Sequence, residues 1–143
     1  VPPATRIRDL VRAKDLADAR YADPLTVADL ARAAHLSPAH FSRAFSAAFG
    51  ESPHQYLLTR RLERAATLLR TTDWRVSEIC VRVGLSSLGS FTTSFRRIYG
   101  LSPERYRQEH PPEAMLRIPP CVVRAYGRRP NRTFREDDVR PGP

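Results

Sequence analysis

Two stripes of short side chains carry the groups in this sequence best suited to meeting a ligand. Ala39, Ser42, Arg43 and Ser46 stand at i, i+3, i+4 and i+7, and Gly89, Thr92, Thr93 and Arg96 repeat that spacing fifty residues later. At helical pitch each set falls on one face. Small and hydroxyl side chains let a helix lie close to the edges of base pairs, and a guanidinium can hold guanine O6 and N7 with two hydrogen bonds. Ser37, His40, Ser87 and Leu88 border the stripes and complete the candidate contact set. A single stripe would be equally well explained as the solvated face of an ordinary amphipathic helix. Two matching stripes with matching flanks count against that reading.

The flanks show that one unit has been made twice. Ser37, Phe41, Phe45, Gly50, Ser52, Pro53 and Tyr56 recur as Ser87, Phe91, Phe95, Gly100, Ser102, Pro103 and Tyr106. Upstream, Val27, Leu30, Ala31 and Leu36 pair with Val76, Ile79, Cys80 and Leu85 after a slip of one residue. Each copy is therefore one supersecondary unit, and the slip falls in a short turn between two helical patterns.

Helical periodicity and caps lay out the elements that position the stripes. A first amphipathic helix runs from Thr5 to Ala22, with Leu10, Ala13, Leu16, Ala17 and Tyr21 inside, and Pro24 ends it. Thr26 and Asp29 form a capping-box start for a second helix that buries Val27, Leu30, Ala31 and Ala34. After a turn at His35 and Leu36, Ser37 caps and Pro38 opens a third helix with Phe41, Phe45, Ala48 and Phe49 inside, closed by Gly50. Ser52-Pro53 then starts a linking helix to about Arg70, carrying Leu58, Leu62, Ala65, Leu68 and Leu69. In the second copy Val76, Ile79, Cys80 and Val83 precede a Gly84-Leu85 turn, and Asp73 is the candidate cap, since Arg75 occupies the place of Thr26. Ser87 begins a helix with Phe91, Phe95, Ile98 and Tyr99 inside. A last helix starts at Ser102-Pro103 and ends before Pro111-Pro112. The expected fold is all-α, with about seven helices in two helix-turn-helix subdomains of homeodomain-like form, near 26–49 and 75–99, joined by the helix at 53–70.

Composition agrees with this layout. At 143 residues and 41% hydrophobic, the chain suits one modest helical domain. Its 24 basic and 15 acidic residues give a net charge of +9, and all the basic residues except Lys14 are arginine. Such an excess points to a polyanion. No apolar run reaches membrane-spanning length and no cleavable signal pattern opens the chain, so nucleic acid is favoured over a membrane and the location reads as cytoplasmic. Cys80 and Cys121 are too few for a disulfide scaffold and lack zinc-site spacing, and the four histidines form no ligand pattern. No nucleophile with a base, no carboxylate pair and no cofactor loop is evident, so neither an enzyme nor a bound metal or cofactor is expected. The final 33 residues hold seven of the 13 prolines and seven arginines, which reads as an extended basic tail with a short strand conceivable at Val122 to Tyr126.

From about Thr5 to His110 the sequence resembles the DNA-binding domain of AraC/XylS-family transcriptional regulators. The resemblance is carried by Leu30-Ala31, Leu36-Ser37, His40-Phe41-Ser42-Arg43, Phe45, Phe49-Gly50, Ser52-Pro53, Tyr56-Leu57, Arg61-Leu62, Val83-Gly84, Phe91, Phe95, Gly100, Ser102-Pro103 and Tyr106-Arg107. It implies a bacterial regulator with double-stranded DNA as partner, RNA polymerase as a candidate second partner, and two helices inserted into successive major-groove segments. Leu85, Cys80 and Thr93 depart from the Phe, Ala and Arg usual at those places. Many members carry an effector domain ahead of this one, so the chain resembles the short stand-alone members or an excised portion of a longer one. The linking helix is about 27 Å long against roughly 34 Å between successive groove faces, which lets one chain address one side of the duplex at an asymmetric site. A small basic module that binds an acidic protein is the competing reading. Among the other basic and aromatic residues, Arg61 is expected to be structural and Trp74 to pack, while Cys80 is expected to be a small core residue.

Overall fold

The computed structural model describes residues 4–112, and the expected strand at Val122 to Tyr126, Cys121 and the tail beyond Pro112 lie outside them. Seven helices and no strand occur among the described residues: α1 (Ala4–Ala19), α2 (Val27–Ala33), α3 (Pro38–Phe49), α4 (Pro53–Thr71), α5 (Val76–Arg82), α6 (Leu88–Tyr99) and α7 (Pro103–Glu109). They fall into two compact units, one ending at Arg61 and the other beginning at Leu62.

In the first unit, Leu10, Ala13 and Ala17 of α1 bury against Leu30, Ala31 and Ala34, and against Phe41 and Phe45 of α3, with Leu57 closing the set. The second unit buries Leu62, Ala65, Ala66 and Leu69 of α4, Val76, Ile79, Cys80 and Val83 around α5, and Phe91 and Phe95 of α6. Cys80 is a core residue whose thiol donates to the Leu85 carbonyl at 3.6 Å, and burial raises its pKa.

Three side chains break the expected pattern. Ala48 and Ile98 are exposed, and Leu58 is only half-buried while Leu57 is buried. In α3 and α6 the buried row is i, i+4, i+8, which runs through Phe41, Phe45 and Phe49 and through Phe91, Phe95 and Tyr99. A residue at i+7 therefore turns off the edge of the core in the last turn.

Side-chain caps mark the starts of α2, α3, α4, α6 and α7. The Thr26 hydroxyl accepts from the Asp29 amide at 3.1 Å and the Asp29 carboxylate accepts from the Thr26 amide at 2.9 Å, a reciprocal box. The Thr26 amide and hydroxyl hold the Asp29 carboxyl below its ordinary pKa, so this cap is present above the unfolded carboxyl range and weakens as pH falls through the lowered value. Ser52 and Ser102 accept from the amides of Gln55 and Arg105. The α5 cap position is Arg75, which makes no side-chain cap bond, so Asp73 does not substitute for Thr26. The nearby Thr72 hydroxyl accepts instead from the Trp74 amide.

The two helix-turn-helix turns share one backbone device. Leu36 N–H donates to the Ala31 carbonyl and His35 N–H to Arg32; Leu85 N–H donates to Cys80 and Gly84 N–H to Val81. This paired bonding needs a left-handed residue after the helix, which is His35 at φ 57° in one copy and Gly84 at φ 90° in the other. Beyond it the second turn holds one extra residue, Ser86, between Leu85 and the Ser87 cap, which is where the repeat slips. His35→Gly should raise stability by about 0.5–1 kcal/mol, and Gly84→Ala should lower it by about 1 kcal/mol. Urea unfolding of both variants against the parent chain checks the opposite signs.

Candidate nucleic-acid interface

α3 and α6 are both 12 residues long and are built alike from end to end. The Ser37 hydroxyl accepts from the His40 amide at 3.3 Å, and the Ser87 hydroxyl accepts from the Ser90 amide at 3.2 Å. Each helix closes on a left-handed glycine, Gly50 at φ 80° and Gly100 at φ 77°. Inside, the ring pairs Phe41–Phe45 and Phe91–Phe95 lie 5.5 and 5.8 Å apart, and Tyr56 and Tyr106 meet the second Phe of each pair edge-on. Two fully buried rings one turn apart leave each helix no freedom to roll, so the outward face is set by the core.

On that face Ala39, Arg43, Gly89, Thr93 and Arg96 are exposed, as are the caps Ser37 and Ser87. His40, Ser42, Ser46, Leu88 and Thr92 are only partly exposed and border the face. Since the buried row is i, i+4, i+8, the outward row is Ala39, Arg43 and Ala47 in α3 and Gly89, Thr93 and Arg97 in α6. The exposed face also takes in Ala47, Arg97 and the neighbouring Ser90, which the stripe read from sequence did not include. Centring the wheel on the Phe–Phe–aromatic row of each helix would have found them.

Several other cations are engaged in the fold. Arg61 donates from Nε to the Tyr21 carbonyl at 2.7 Å and from Nη2 to the Asp23 carbonyl at 2.9 Å, tying down the connection between α1 and α2. Burial lowers its pKa. Arg60 lies 3.0 Å from the Asp18 carboxylate, which also accepts from the Tyr56 hydroxyl. Arg107, likewise lowered by burial, donates to the Leu69 carbonyl at 3.3 Å. Trp74 packs, with the Arg82 guanidinium 4.1 Å from its ring centre. By contrast, no carboxylate among the described residues pairs with Arg43, Arg96 or Arg97.

A family model described as a helix-turn-helix domain matches residues 30–109. The chain belongs to the AraC-type helix-turn-helix family. LumQ of Photobacterium leiognathi, named as a probable transcriptional regulator, is 39% identical over 83 residues, which cover 58% of this chain and 34% of that protein. An AraC-type DNA-binding-domain protein from Chromobacterium violaceum has a related structure at TM-score 0.68 and 28% identity, covering 76% of this chain and 97% of that one. The DNA-binding domain of AdpA, solved in complex with a target DNA, matches at TM-score 0.67 and 30% identity, covering 82% of this chain and 95% of that one. The chain spans about a third of the length of the curated relatives it matches. No described helix is long and apolar enough to cross a membrane.

Arg61→Ala should destabilise the chain by about 1.5–3 kcal/mol, the range for hydrogen bonds from a charged donor. Arg61→Lys should recover little of this, because a single ammonium lacks the forked geometry that spans two carbonyls. Denaturant midpoints of the two variants measure the difference.

Proposed function

We propose that this chain is a sequence-specific DNA-binding regulator of transcription, with α3 and α6 entering major-groove segments of an asymmetric site. The observation that carries this reading is the pair of equal-length, serine-capped helices whose inner faces are locked by phenylalanines and whose outer faces hold short side chains and uncommitted arginines. Family membership supports it, as does the DNA complex formed by the AdpA domain. The net charge of +9 supplies general attraction to phosphate. RNA polymerase is the second partner this reading implies, and the cytoplasm its place of action.

Asymmetry follows from the two outer rows. Ala39, Arg43 and Ala47 present one guanidinium in mid-helix, whereas Gly89, Thr93 and Arg97 present a threonine there. Two unlike readers within one chain need no two-fold axis, so the chain binds as a monomer. Selection of duplexes from a random pool followed by footprinting should give a non-palindromic site with one chain bound. A palindromic footprint holding two chains would falsify the monomer reading. A salt titration on the selected duplex should give a steep log–log slope, whereas a module for acidic proteins would show no duplex preference.

The two helices should also contribute differently. Arg43→Ala should cost about 1–3 kcal/mol of binding and relax the preference for one guanine. Arg96→Ala should weaken all sequences alike and reduce the salt slope by roughly one unit, as expected of a phosphate contact. Affinities for the consensus, a guanine-substituted variant and random duplex test both. Equal losses on all three for Arg43→Ala would remove its assigned role in reading bases.

A further inference from the structure

Resting on the reading of α6 as a DNA-facing helix, we propose that it recognises thymine through the C5 methyl group, with Thr93 as the specificity-determining contact. Thr93 is exposed at the centre of the outward row, in the place that Arg43 holds in α3. From Ser87 to Phe95 the helix carries no charged and no amide side chain. None of the groups that grip guanine, adenine or cytosine with directional hydrogen bonds is therefore present in its first two turns.

What remains there is hydroxyl and methyl. Ser90 and Thr93 are exposed, and Leu88 and Thr92 are partly so. A hydroxyl both donates and accepts and so discriminates weakly among base edges. A methyl or leucine side chain is matched by one group in the major groove, the thymine C5 methyl. The discriminating power of this half of the helix therefore lies in apolar contact.

Gly89 points the same way. It has no positive φ, and a Cβ placed on it would meet only the Ser87 hydroxyl oxygen at 4.0 Å. No contact among the described residues calls for glycine at this exposed helical position, where it lowers helix stability relative to alanine. The missing side chain lets the backbone of α6 lie close to the groove floor, which brings a γ-methyl on the next turn within reach of a base edge. Arg96 and Arg97 follow one turn later, nearer the end of the helix, where they suit phosphate. The site is accordingly composite, with guanine read by α3 and thymine by α6.

The test uses duplexes enriched from a random pool by the full chain, resynthesised with deoxyuridine replacing each thymidine in turn. That replacement removes the C5 methyl and leaves every hydrogen-bonding edge intact. One or two replacements, at positions whose base preference survives Arg43→Ala, should lower affinity about four-fold each, the transfer worth of one buried methyl group. Thr93→Val, which keeps a γ-methyl, should preserve this thymidine-to-deoxyuridine ratio. Thr93→Ser, which keeps only the hydroxyl, should bring it close to one. A ratio near one at every position in the parent chain, or a ratio kept by Thr93→Ser and lost by Thr93→Val, overturns methyl readout while DNA binding stands. A pool from which nothing is enriched overturns the sequence-specific reading beneath it. Thermal melting of both Thr93 variants, whose side chain is outside the core, should match the parent.

Discussion

The burial of two phenylalanine rings one helical turn apart is the constraint from which the exposed surface of each unit follows. Phe41 and Phe45 in one unit, and Phe91 and Phe95 in the other, are at most 1% exposed. A helix held by one buried ring could roll about that anchor, trading one stripe of surface for the next. Two rings on the same face remove that freedom, and the tyrosines at 56 and 106 press on the second ring from the following helix. Since 100° separates successive residues, fixing the inward row also fixes which side chains can reach a ligand. Arg43 and Thr93 owe their exposure to Phe41, Phe45, Phe91 and Phe95 as much as to their own polarity.

The caps act along the other axis. Rings set rotation, whereas a hydroxyl bonded to the third amide sets where the helix begins and hence how far along it each side chain stands. Serine does this for both recognition helices, and a left-handed glycine ends both. The preceding turn is more tolerant. One copy accepts histidine at a left-handed position where the other has glycine, and one accepts an extra residue, yet the bonds from Leu36 and Leu85 back into the previous helix are the same. Conserving those bonds preserves the exit of the chain from the turn, so the insertion is absorbed before the next cap.

Most of this architecture was legible in the sequence because its signals are local. Caps, closing glycines and the period of the large apolar residues need only neighbours within a turn or two, and they placed all seven helices, the repeat and its slip. The miss at Ala48 and Ile98 has a different origin. Period alone tells which residues cluster on a face but not where the centre of the buried arc lies, and that centre is decided by partners distant in sequence, such as Leu10 and Ala13 in the first unit. The same small rotation left the exposed Ala47, Ser90 and Arg97 out of the expected stripe. The partners of Arg61 were equally out of reach, since the Tyr21 and Asp23 carbonyls lie 40 and 38 residues away and backbone oxygens leave no mark in composition.

The bounded form of α3 and α6 divides their residues into two populations with separate fates. Between Ser37 and Gly50, and between Ser87 and Gly100, inward positions answer to the core and outward positions are free of it among the described residues. The helices behave as cassettes of equal length with common ends. Outward residues can change without loss of folding, in one copy independently of the other. Duplication within a single chain thereby lets the two outward surfaces diverge one copy at a time.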